Sequence, residues 1–341
     1  MLDLLGVGMY LPPSYDIREL ARQAGTDPSR YRGYARVCLA EDDDHPASMG
    51  TAALRQALAE SGVDPGDLSL VLFAGVSRDF PPSWSVAAEI MHRSGAPAKC
   101  FGLDLTIGCL GTLPALEFAM EYLEARGGGY AAVVAAERWS YTVDRSSSQF
   151  MSLWAHGDSG GALVVGLARP GAAFGRFCGA EFASAAELNG RILIPYGGTR
   201  NPVPPAGISP FHRRLSDHSR KEVSARYIQG YCEVFDSLRR RFGVKPRRLV
   251  CNQIGPGMVA VLTDLAGVGE QGVTVTGDDA GHLGSVDILY GLRRLVDAAE
   301  LDGPVAVAAS AAPGFGVGLV VPPDAGGRVL SLFRARVTQS A

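Results

Sequence analysis

Two stretches of this sequence can be placed one over the other. GCLGTLPALEFAMEYLEA fills residues 108–125, and GHLGSVDILYGLRRLVDA fills residues 281–298. Glycine, leucine and glycine match around one variable position, which holds Cys109 in the first stretch and His282 in the second. A segment that recurs in this way indicates that the chain contains two related structural units.

The segments that flank these two stretches also correspond, and they do so in the same order. Each has strand length and is nearly continuous in valine, leucine and alanine, which is typical of strands buried on both faces. The matching pairs are LVLFAG with LVCNQIG, YAAVVAAE with PVAVAAS, and GGALVVG with GVGLVVP. Strands that alternate with helices predict an α/β fold, here with duplicated βαβαβ-type halves. The alternative is chance similarity between two amphipathic helices.

The repeat divides the chain near residue 170. We predict an N-terminal half over residues 1–170 that carries a nucleophile, and a C-terminal half over residues 171–341 that carries a histidine and an asparagine. Residues of about 171–220 interrupt the second half and contain YGGTRNP and a Pro-Pro pair. A loop of this length in a compact protein is often functional, so we predict a partly irregular insertion that covers the site entrance.

Composition excludes several classes of protein. The 341 residues are 47% hydrophobic, which is enough for a large core or two packed domains. The net charge is -3 and no basic block is present, which argues against nucleic-acid binding. We find neither a signal peptide nor a run of about 20 apolar residues, so we predict no membrane span. The six cysteines form no CxxC pair, which predicts no metal site, no disulfide framework and a cytoplasmic location.

Cys109 is the candidate nucleophile. It lies between Gly108 and Gly111 in DLTIGCLGT, at a predicted strand-to-helix turn. The helix that follows would direct its N-terminal dipole and free N–H groups at the sulfur, which favours the thiolate. A buried structural thiol is the alternative for Cys109, and it is the interpretation we give to the other five cysteines.

His282 is the candidate base. Because the repeat places it where the first half has Cys109, two helix starts that face each other would bring the thiol and the imidazole together. Asp287, five residues further on, could fix one tautomer of His282 and stabilise the imidazolium. The alternatives are a hydrogen-bonded structural histidine and a first-turn carboxylate that the helix dipole favours.

Asn252 and Gly314 are candidates for holding the acyl group. Asn252 ends a predicted strand, and the carboxyl ends of strands are where α/β folds place sites. It could bind a thioester carbonyl or orient the histidine, or it could be an ordinary turn asparagine. Gly314, in the SAAPGFGVG turn, could offer a backbone N–H beside that of Cys109 and complete an oxyanion hole. A simple glycine-rich turn is its alternative.

The sequence resembles β-ketoacyl-ACP synthase III of the thiolase superfamily over nearly its whole length. GVGMYLP resembles the opening strand and turn of that family, and DLTIGCLGTLPAL resembles its active-site cysteine segment. HGDSGGALVVG resembles its phenylalanine-glycine-aspartate-glycine segment, and AAPGFGVG resembles its late glycine-rich loop. The resemblance implies a thiolase fold with layers in the order α-β-α-β-α.

Two departures from the family pattern concern the catalytic groups. The family has a His-Gln-Ala-Asn motif where this chain has Asn252-Gln253-Ile254-Gly255, and a Gly-Asn-Thr-Ser segment where this chain has Gly-His-Leu-Gly at 281–284. Histidine and asparagine have thus exchanged places, and Asp287 is added. This variant resembles the Cys-His-Asp acyltransferases of polyketide starter loading and tailoring, which include those related to the daunorubicin and cervimycin pathways of antibiotic biosynthesis.

The resemblance implies a substrate, partners and further contact residues. An acyl group would pass by a ping-pong route from acyl-CoA or an acyl carrier protein, through Cys109, to a carrier thiol or a small-molecule hydroxyl, with no permanently bound cofactor. The resemblance places Tyr31 and Arg36 loosely near the coenzyme A contacts of the family. A cluster of positive charges could meet a carrier-protein phosphopantetheine or an acidic helix, or it could be a solvated helix face: Arg213, Arg214, Arg220 and Lys221. The segment 77–84 falls where the family contributes to its interface, which implies a homodimer.

Three other functions remain open at this point. A priming β-ketoacyl-ACP synthase III would release carbon dioxide from malonyl-ACP and form a carbon–carbon bond. A catalytically silent partner subunit would bind a ketosynthase homologue, although the presence of Cys109, His282 and Asp287 together argues against silence. A hydrolase would use water as the acceptor.

Overall fold

The computed structural model describes residues 1–80, 83–167, 173–208, 214–215 and 220–325. The strands in chain order are β1 (Leu2–Tyr10), β2 (Ser14–Asp16), β3 (Arg36–Cys38), β4 (Leu68–Phe73), β5 (Phe101–Asp104), β6 (Tyr130–Arg138), β7 (Asp158–Leu167), β8 (Gly175–Ser184), β9 (Ile192–Leu193), β10 (Arg214–Leu215), β11 (Arg248–Cys251), β12 (Val273–Thr274), β13 (Val305–Ala311) and β14 (Gly314–Val321). The helices are α1 (Ile17–Gln23), α2 (Pro46–Ser61), α3 (Val86–Ser94), α4 (Thr112–Ala125), α5 (Arg220–Phe242), α6 (Pro256–Ala266), α7 (Gly277–Ala280) and α8 (Val286–Asp297).

Ten strands form one mixed sheet whose order runs β12-β11-β13-β14-β8-β1-β7-β6-β4-β5. Its two central strands, β1 and β8, are antiparallel, with Leu2 opposite Phe177. Outward from β1 the order is β7, β6, β4 and β5, and outward from β8 it is β14, β13, β11 and β12. The two series correspond strand for strand, in the order of the matched sequence segments.

The strands are buried on both faces, as their apolar composition predicts. Every residue of β13 and of β14 is buried. Side chains alternate between the faces of a strand, and in β4 Val71 and Phe73 belong to one apolar cluster while Leu70 and Leu72 belong to another. Each face of the sheet therefore needs its own layer of helices.

Three helical layers cover the sheet. Helix α2 packs on β1, β6 and β7 at one outer surface, and α5 and α6 pack on β8, β11 and β14 at the other. Helices α4 and α8 contact each other and lie between the two halves, where Leu113, Leu116, Ile288 and Leu292 share one buried cluster. The layers follow the order α-β-α-β-α, so the predicted α/β thiolase fold is confirmed.

Some predicted boundaries differ from the observed ones. The run 273–277 is a strand only as far as Thr274, and α7 then begins at Gly277. Residues 175–184, which lie inside the predicted insertion of about 171–220, form β8 in the middle of the sheet. Only the chain beyond Ser184 is therefore available to cover a site. The division near residue 170 stays a prediction, because residues 168–172 lie outside the described ranges.

Candidate active site

Cys109 lies between strand β5, in the first half of the sheet, and helix α4. A 3-10 turn, Gly108–Leu110, connects the loop after β5 to that helix, and Cys109 is half-buried within it. Gly108 has φ +62°, and its counterpart Gly281 has φ +78°, a conformation that favours glycine. The same backbone requirement therefore precedes the thiol in one half and the imidazole in the other.

The two helix starts are joined by reciprocal hydrogen bonds. The Thr112 hydroxyl donates to the carbonyl of Ser285 at 2.7 Å, and the Ser285 hydroxyl donates to the carbonyl of Gly108 at 3.0 Å. Thr112 and Ser285 occupy matching positions of the sequence repeat. Their cross-connection holds the Cys109 turn against the His282 segment, so that the Cys109 sulfur is near enough to the His282 ring for its charge to affect the pKa of the ring.

His282 is fixed through its backbone and through one ring nitrogen. Its N–H donates to the carbonyl of Ala155 at 2.7 Å, and its carbonyl accepts from Gly157 N–H at 3.0 Å. Its Nδ1 lies 2.6 Å from Oδ2 of Asp287, and both side chains are buried. Because Nδ1 is engaged by the carboxylate, Nε2 is the nitrogen available to the thiol.

Asp287 is held as a carboxylate by donors alone. Besides the ring of His282, its Oδ2 accepts from Gln253 N–H at 2.7 Å, and its Oδ1 accepts from Leu283 N–H at 2.9 Å. It lies in the first turn of α8, where the helix dipole also favours negative charge. These contacts orient the carboxyl group of Asp287 toward the histidine.

The charge neighbours of His282 reverse the effect of burial on its pKa. Burial lowers the pKa, but the Asp287 carboxylate and the Cys109 thiolate outweigh it and raise the pKa from its usual value of 6.5 to about 10. A protonated imidazole between the Asp287 carboxyl and the Cys109 sulfur is therefore favoured near neutral pH. That pairing is the arrangement found in activated thiol nucleophiles.

The raised pKa predicts how stability depends on pH. A group whose pKa is higher in the folded state stabilises the fold fully below its unfolded pKa, and this contribution disappears as pH rises through the folded value. We therefore expect the difference in unfolding free energy between wild type and His282→Gln to be largest at pH 6 and to shrink toward pH 10. Urea denaturation at several pH values measures it. A difference that stays constant or grows would contradict the ion pair.

The side chain of Asn252 forms hydrogen bonds with backbone atoms of three segments. Its amide is therefore not free to face the thiol. Its Nδ2 donates to the carbonyl of Gly284 at 3.0 Å and, at a longer 3.4 Å, to that of Cys109. Its Oδ1 accepts from Ser310 N–H at 2.7 Å. Both N–H groups are thus engaged by backbone, so this arrangement leaves none for a thioester carbonyl. The interpretation of Asn252 as a ligand of the acyl carbonyl is therefore not favoured.

Gly314 begins β14, directly after the turn that follows β13. A Cβ built on Gly108 would lie 2.6 Å from Cβ of Ala311, the last residue of β13, so this turn lies against the Cys109 segment. This position is compatible with a shared oxyanion hole. The donor roles of the Cys109 and Gly314 N–H groups stay predictions.

The residues that were predicted to contact a carrier protein or coenzyme A differ in their exposure to solvent. Tyr31 is 3% exposed and packs against Trp154, with ring centroids 5.5 Å apart, so its ring is a core residue and is not available to a ligand at the surface. Arg36 is exposed, and its Nε donates to the Ser14 hydroxyl at 3.0 Å. Arg213 lies outside the described residues, and Arg214 is described only as part of the backbone of β10.

Two further residues belong to the surroundings of the site and were not predicted from the sequence. The His156 ring meets the His282 ring edge-on at 4.8 Å, and its Nδ1 lies 3.0 Å from the carbonyl of Leu153. Burial raises the pKa of Tyr227, on α5, to about 12, and the negative charge of Cys109 adds to this effect. A signal for His156 was present, because it stands where the resembled family has phenylalanine. Tyr227 gave no such signal within its helix.

Other kinds of site are not found in the described part of the chain. No group of three or more histidine, cysteine, aspartate or glutamate side chains there is arranged to hold a metal ion. No helix among the same residues is both long and apolar enough to cross a membrane.

Comparison with known proteins shows what parts of this chain are similar to. The model of 3-oxoacyl-[acyl-carrier-protein] synthase III matches residues 103–182, which include Cys109 and end inside β8. Acetoacetyl CoA synthase NphT7 of Streptomyces sp. (strain CL190) is 30% identical over 60% of this chain and 62% of its own. β-Ketoacyl-[acyl-carrier-protein] synthase III of Streptomyces lividans is 35% identical over 38% of this chain and 37% of its own. The chain thus spans less than two thirds of the length of these relatives.

A solved structure agrees with this fold over a much longer stretch. The cerulenin-bound crystal structure of OleA from Xanthomonas campestris superimposes with a TM-score of 0.80 at 19% identity, and the match covers 94% of this chain and 96% of that one. Identity at this level speaks for the fold alone. The chain is thus similar to 3-oxoacyl-[acyl-carrier-protein] synthase III around Cys109 and shares its overall fold with OleA.

Proposed function

We propose that this protein is an acyltransferase that carries an acyl group on Cys109 and passes it to a thiol or hydroxyl acceptor. The observation that carries the proposal is the 2.6 Å contact between Nδ1 of His282 and Oδ2 of Asp287, beside the Cys109 sulfur. A carboxylate behind a histidine adapts it to accept and return protons. Transfer between two nucleophiles needs such a group in both half-reactions.

The first half-reaction forms the acyl-enzyme. The Cys109 thiolate attacks the carbonyl carbon of an acyl thioester, and a tetrahedral oxyanion forms that the N–H groups of Cys109 and Gly314 are positioned to receive. When the intermediate collapses, the bond to the donor sulfur breaks and a new thioester to Cys109 remains. The His282 imidazolium gives its proton to the departing thiolate, which leaves as a thiol.

The second half-reaction reverses these roles. Neutral His282 takes the proton of the acceptor thiol or hydroxyl, whose sulfur or oxygen attacks the Cys109 thioester. The acyl group moves to the acceptor, and the cysteine leaves as a thiolate paired again with imidazolium. Acid–base help of this kind contributes about 10²–10⁴-fold. The names of the relatives make an acyl carrier protein a natural donor or acceptor, and acyl-CoA is the alternative donor. A homodimer and a role in polyketide or antibiotic biosynthesis also stay predictions.

Asn252 has a positioning role in this proposal. Its hydrogen bonds to the carbonyls of Cys109 and Gly284 and to Ser310 N–H connect the two loops that carry the thiol and the imidazole. Correct relative placement of reacting groups is worth several orders of magnitude in rate. The exchange of histidine and asparagine relative to the family therefore moves the base next to Asp287 and leaves a structural amide at position 252.

Acylation of the protein tests the proposal directly. Purified wild type is incubated with a panel of acyl-CoA thioesters, and the intact mass is recorded. We expect one acyl adduct that is absent from Cys109→Ala and present in the matched control Cys232→Ala, because Cys232 is a half-buried thiol on α5. Equal labelling of wild type and Cys109→Ala, or none with any thioester, would exclude the scheme.

Decarboxylative condensation is the second candidate, and the names of the relatives favour it. It requires stabilisation of an enolate oxyanion, which the family achieves with a histidine and an asparagine as neutral donors. Here the N–H groups of Asn252 bind backbone, and His282 is paired with Asp287. Release of carbon dioxide from malonyl-ACP in step with formation of a β-ketoacyl product would favour condensation over transfer.

A further inference from the structure

Gln253 contributes a backbone donor to the same carboxyl oxygen that binds the His282 ring. Oδ2 of Asp287 lies 2.6 Å from Nδ1 of His282 and accepts from Gln253 N–H at 2.7 Å. The other oxygen, Oδ1, accepts from Leu283 N–H at 2.9 Å, and Leu283 directly follows His282 in the chain. Of these three donors, Gln253 therefore comes from a different segment, two residues beyond the end of β11.

The side-chain amide of Gln253 fixes the place of that backbone N–H. Its Oε1 accepts from the Tyr34 hydroxyl at 3.0 Å and from Gly277 N–H at 3.1 Å, and its Nε2 donates to the carbonyl of Cys251 at 2.8 Å. The orientation of the amide is unambiguous, because a backbone N–H can only donate and a backbone carbonyl can only accept. The side chain therefore folds back on the last residue of β11 and holds the turn from which the N–H reaches Asp287.

Tyr34 holds this amide from a remote part of the chain, 219 positions before Gln253. Tyr34 is 2% exposed and belongs to the buried cluster that contains Trp154. A Cβ built on Gly277 would lie 2.3 Å from Cζ of the tyrosine, so the ring packs directly on that backbone. Burial raises the pKa of Tyr34 above its usual value, and the negative charge of Asp287 adds to this effect, so the hydroxyl keeps its proton and acts as the donor.

The turn that contains Gln253 also contacts the segment of the nucleophile. Asn252, the residue before it, donates from Nδ2 to the carbonyl of Gly284 at 3.0 Å and to that of Cys109 at 3.4 Å. The turn after β11 therefore touches both the thiol segment and, through Asp287, the histidine. A displacement of about 1 Å between reacting groups can cost about 10²-fold in rate, so the placement of this turn affects the reaction.

We propose that Gln253 and Tyr34 are positioning residues for acyl transfer, which hold the carboxyl group of Asp287 against the His282 ring. Neither residue acts on the acyl group directly: Tyr34 acts through the Gln253 amide, and Gln253 acts through Asp287. The inference rests on the proposed function, because it specifies what keeps the histidine and its carboxyl group in place during that reaction.

Single-turnover acylation of Cys109 measures this role, with intact mass recorded at several concentrations of an acyl thioester that labels the wild type. Tyr34→Phe removes the hydroxyl and keeps the ring, and Gln253→Met removes the amide at similar length. We expect the limiting rate to fall by about tenfold in Tyr34→Phe and by about 10²-fold in Gln253→Met. The thioester concentration that gives half of the limiting rate should change little, because neither side chain binds the thioester.

Combination with Asp287→Asn separates positioning from a general effect on folding. Residues that act through one carboxyl group lose their influence once that group is replaced, whereas independent defects add. In the Asp287→Asn background, Tyr34→Phe and Gln253→Met should therefore change the rate by no more than about threefold. Tyr10→Phe is the matched control, because it removes a phenol hydroxyl that donates to Asp44 at 2.8 Å, and it should leave the rate unchanged in both backgrounds.

Alkylation of Cys109 by iodoacetamide at neutral pH, followed by peptide mass spectrometry, examines the same pair without an acyl donor. It should slow in Tyr34→Phe and Gln253→Met, because a displaced carboxyl group supports the imidazolium beside the thiol less well. Since Tyr34→Phe removes a single oxygen atom, it keeps the comparison decisive even if Gln253→Met folds poorly.

The outcomes distinguish this inference from the function on which it rests. Wild-type acylation rates in both variants, or losses that multiply with that of Asp287→Asn, would overturn the positioning role and leave the acyltransferase intact. If no thioester acylates Cys109, the proposed function is removed. Slower alkylation in both variants would then still support the hold on Asp287, and unchanged alkylation would overturn it.

Discussion

Replacing Asp287 with asparagine should lower the rate of acyl transfer by roughly 10³–10⁴-fold, as loss of the carboxylate behind a catalytic histidine does in comparable triads. An amide can present its N–H₂ group to Nδ1 of His282, which favours the ring tautomer with the proton on Nε2. That tautomer directs an N–H at Cys109 and cannot accept its proton. Both half-reactions should suffer, because the same nitrogen serves in each.

The hydrogen bonds of Asp287 make this substitution costly for folding too. Both oxygens of the carboxylate accept only from donors: the His282 ring, Gln253 N–H and Leu283 N–H. An asparagine must turn its N–H₂ toward at least one of these donors and leave it unpaired. Breaking a buried ion pair and orphaning a donor costs about 3 kcal/mol. We therefore expect a lower unfolding free energy together with the loss of activity.

Single-turnover acylation and urea denaturation measure the two effects separately. Asp297→Asn is the matched control, because Asp297 lies at the end of the same helix, is 57% exposed and pairs with Arg293. Exposed pairs of this kind contribute about 0–1 kcal/mol, so the control should behave as wild type. Acyl transfer by Asp287→Asn within tenfold of wild type would show that the carboxylate does not govern the histidine.

Gly111→Ala should have an effect of similar size for a steric reason. A Cβ at this position would lie 2.2 Å from the carbonyl oxygen of Ala74, a backbone atom just beyond β4. The backbone of Gly111 is ordinary right-handed helix, with φ -49° and ψ -35°, so space and not conformation requires glycine. The start of α4 would have to move away from the sheet, and the Cys109 turn would move with it. A displacement of about 1 Å at a reacting group can cost about 10²-fold in rate.

We expect Gly111→Ala to fold with reduced stability, by about 1–3 kcal/mol, and to acylate roughly 10²-fold more slowly. Gly257→Ala is the matched control, since the same built Cβ meets nothing within 4 Å and the residue lies in the first turn of α6. Thermal denaturation and the acylation rate of both variants give the answer. A Gly111→Ala protein with wild-type rate and stability would mean that α4 is not held against β4 as described.

The sequence could predict that Cys109 lies near His282, because a repeated segment in a sequence indicates two similar units that are related by symmetry in the fold. Matching positions in two copies of a fold are related by the symmetry between the copies, so two residues at matching helix starts can converge without any knowledge of distances. The correspondence between the two series of strands in the sheet follows from the same principle. Asp287 was accessible because it lies on the helix that His282 precedes.

Other features depended on the orientation and the contacts of side chains, which the local sequence does not encode. Tyr31 gave a surface interpretation, yet its ring lies against Trp154, a residue more than a hundred positions away. The sequence left open whether the amide of Asn252 binds a thioester carbonyl, orients the histidine or belongs to an ordinary turn, and in the structure its partners are backbone atoms of three distant segments. Local patterns cannot predict such contacts, because they depend on which segments the sheet order brings together.

The sequence by itself determined the layered α/β fold, and it predicted the duplication and the thiol, imidazole and carboxyl group of the candidate site. It could do so because burial patterns and repeated segments can be recognised from the order of the residues alone. Only the tertiary structure decided which side chains from unrelated segments surround that centre, as with His156 beside His282. The physical reason is that packing determines the rotamers and the charge contacts between remote elements, and packing depends on the order of the strands in the sheet.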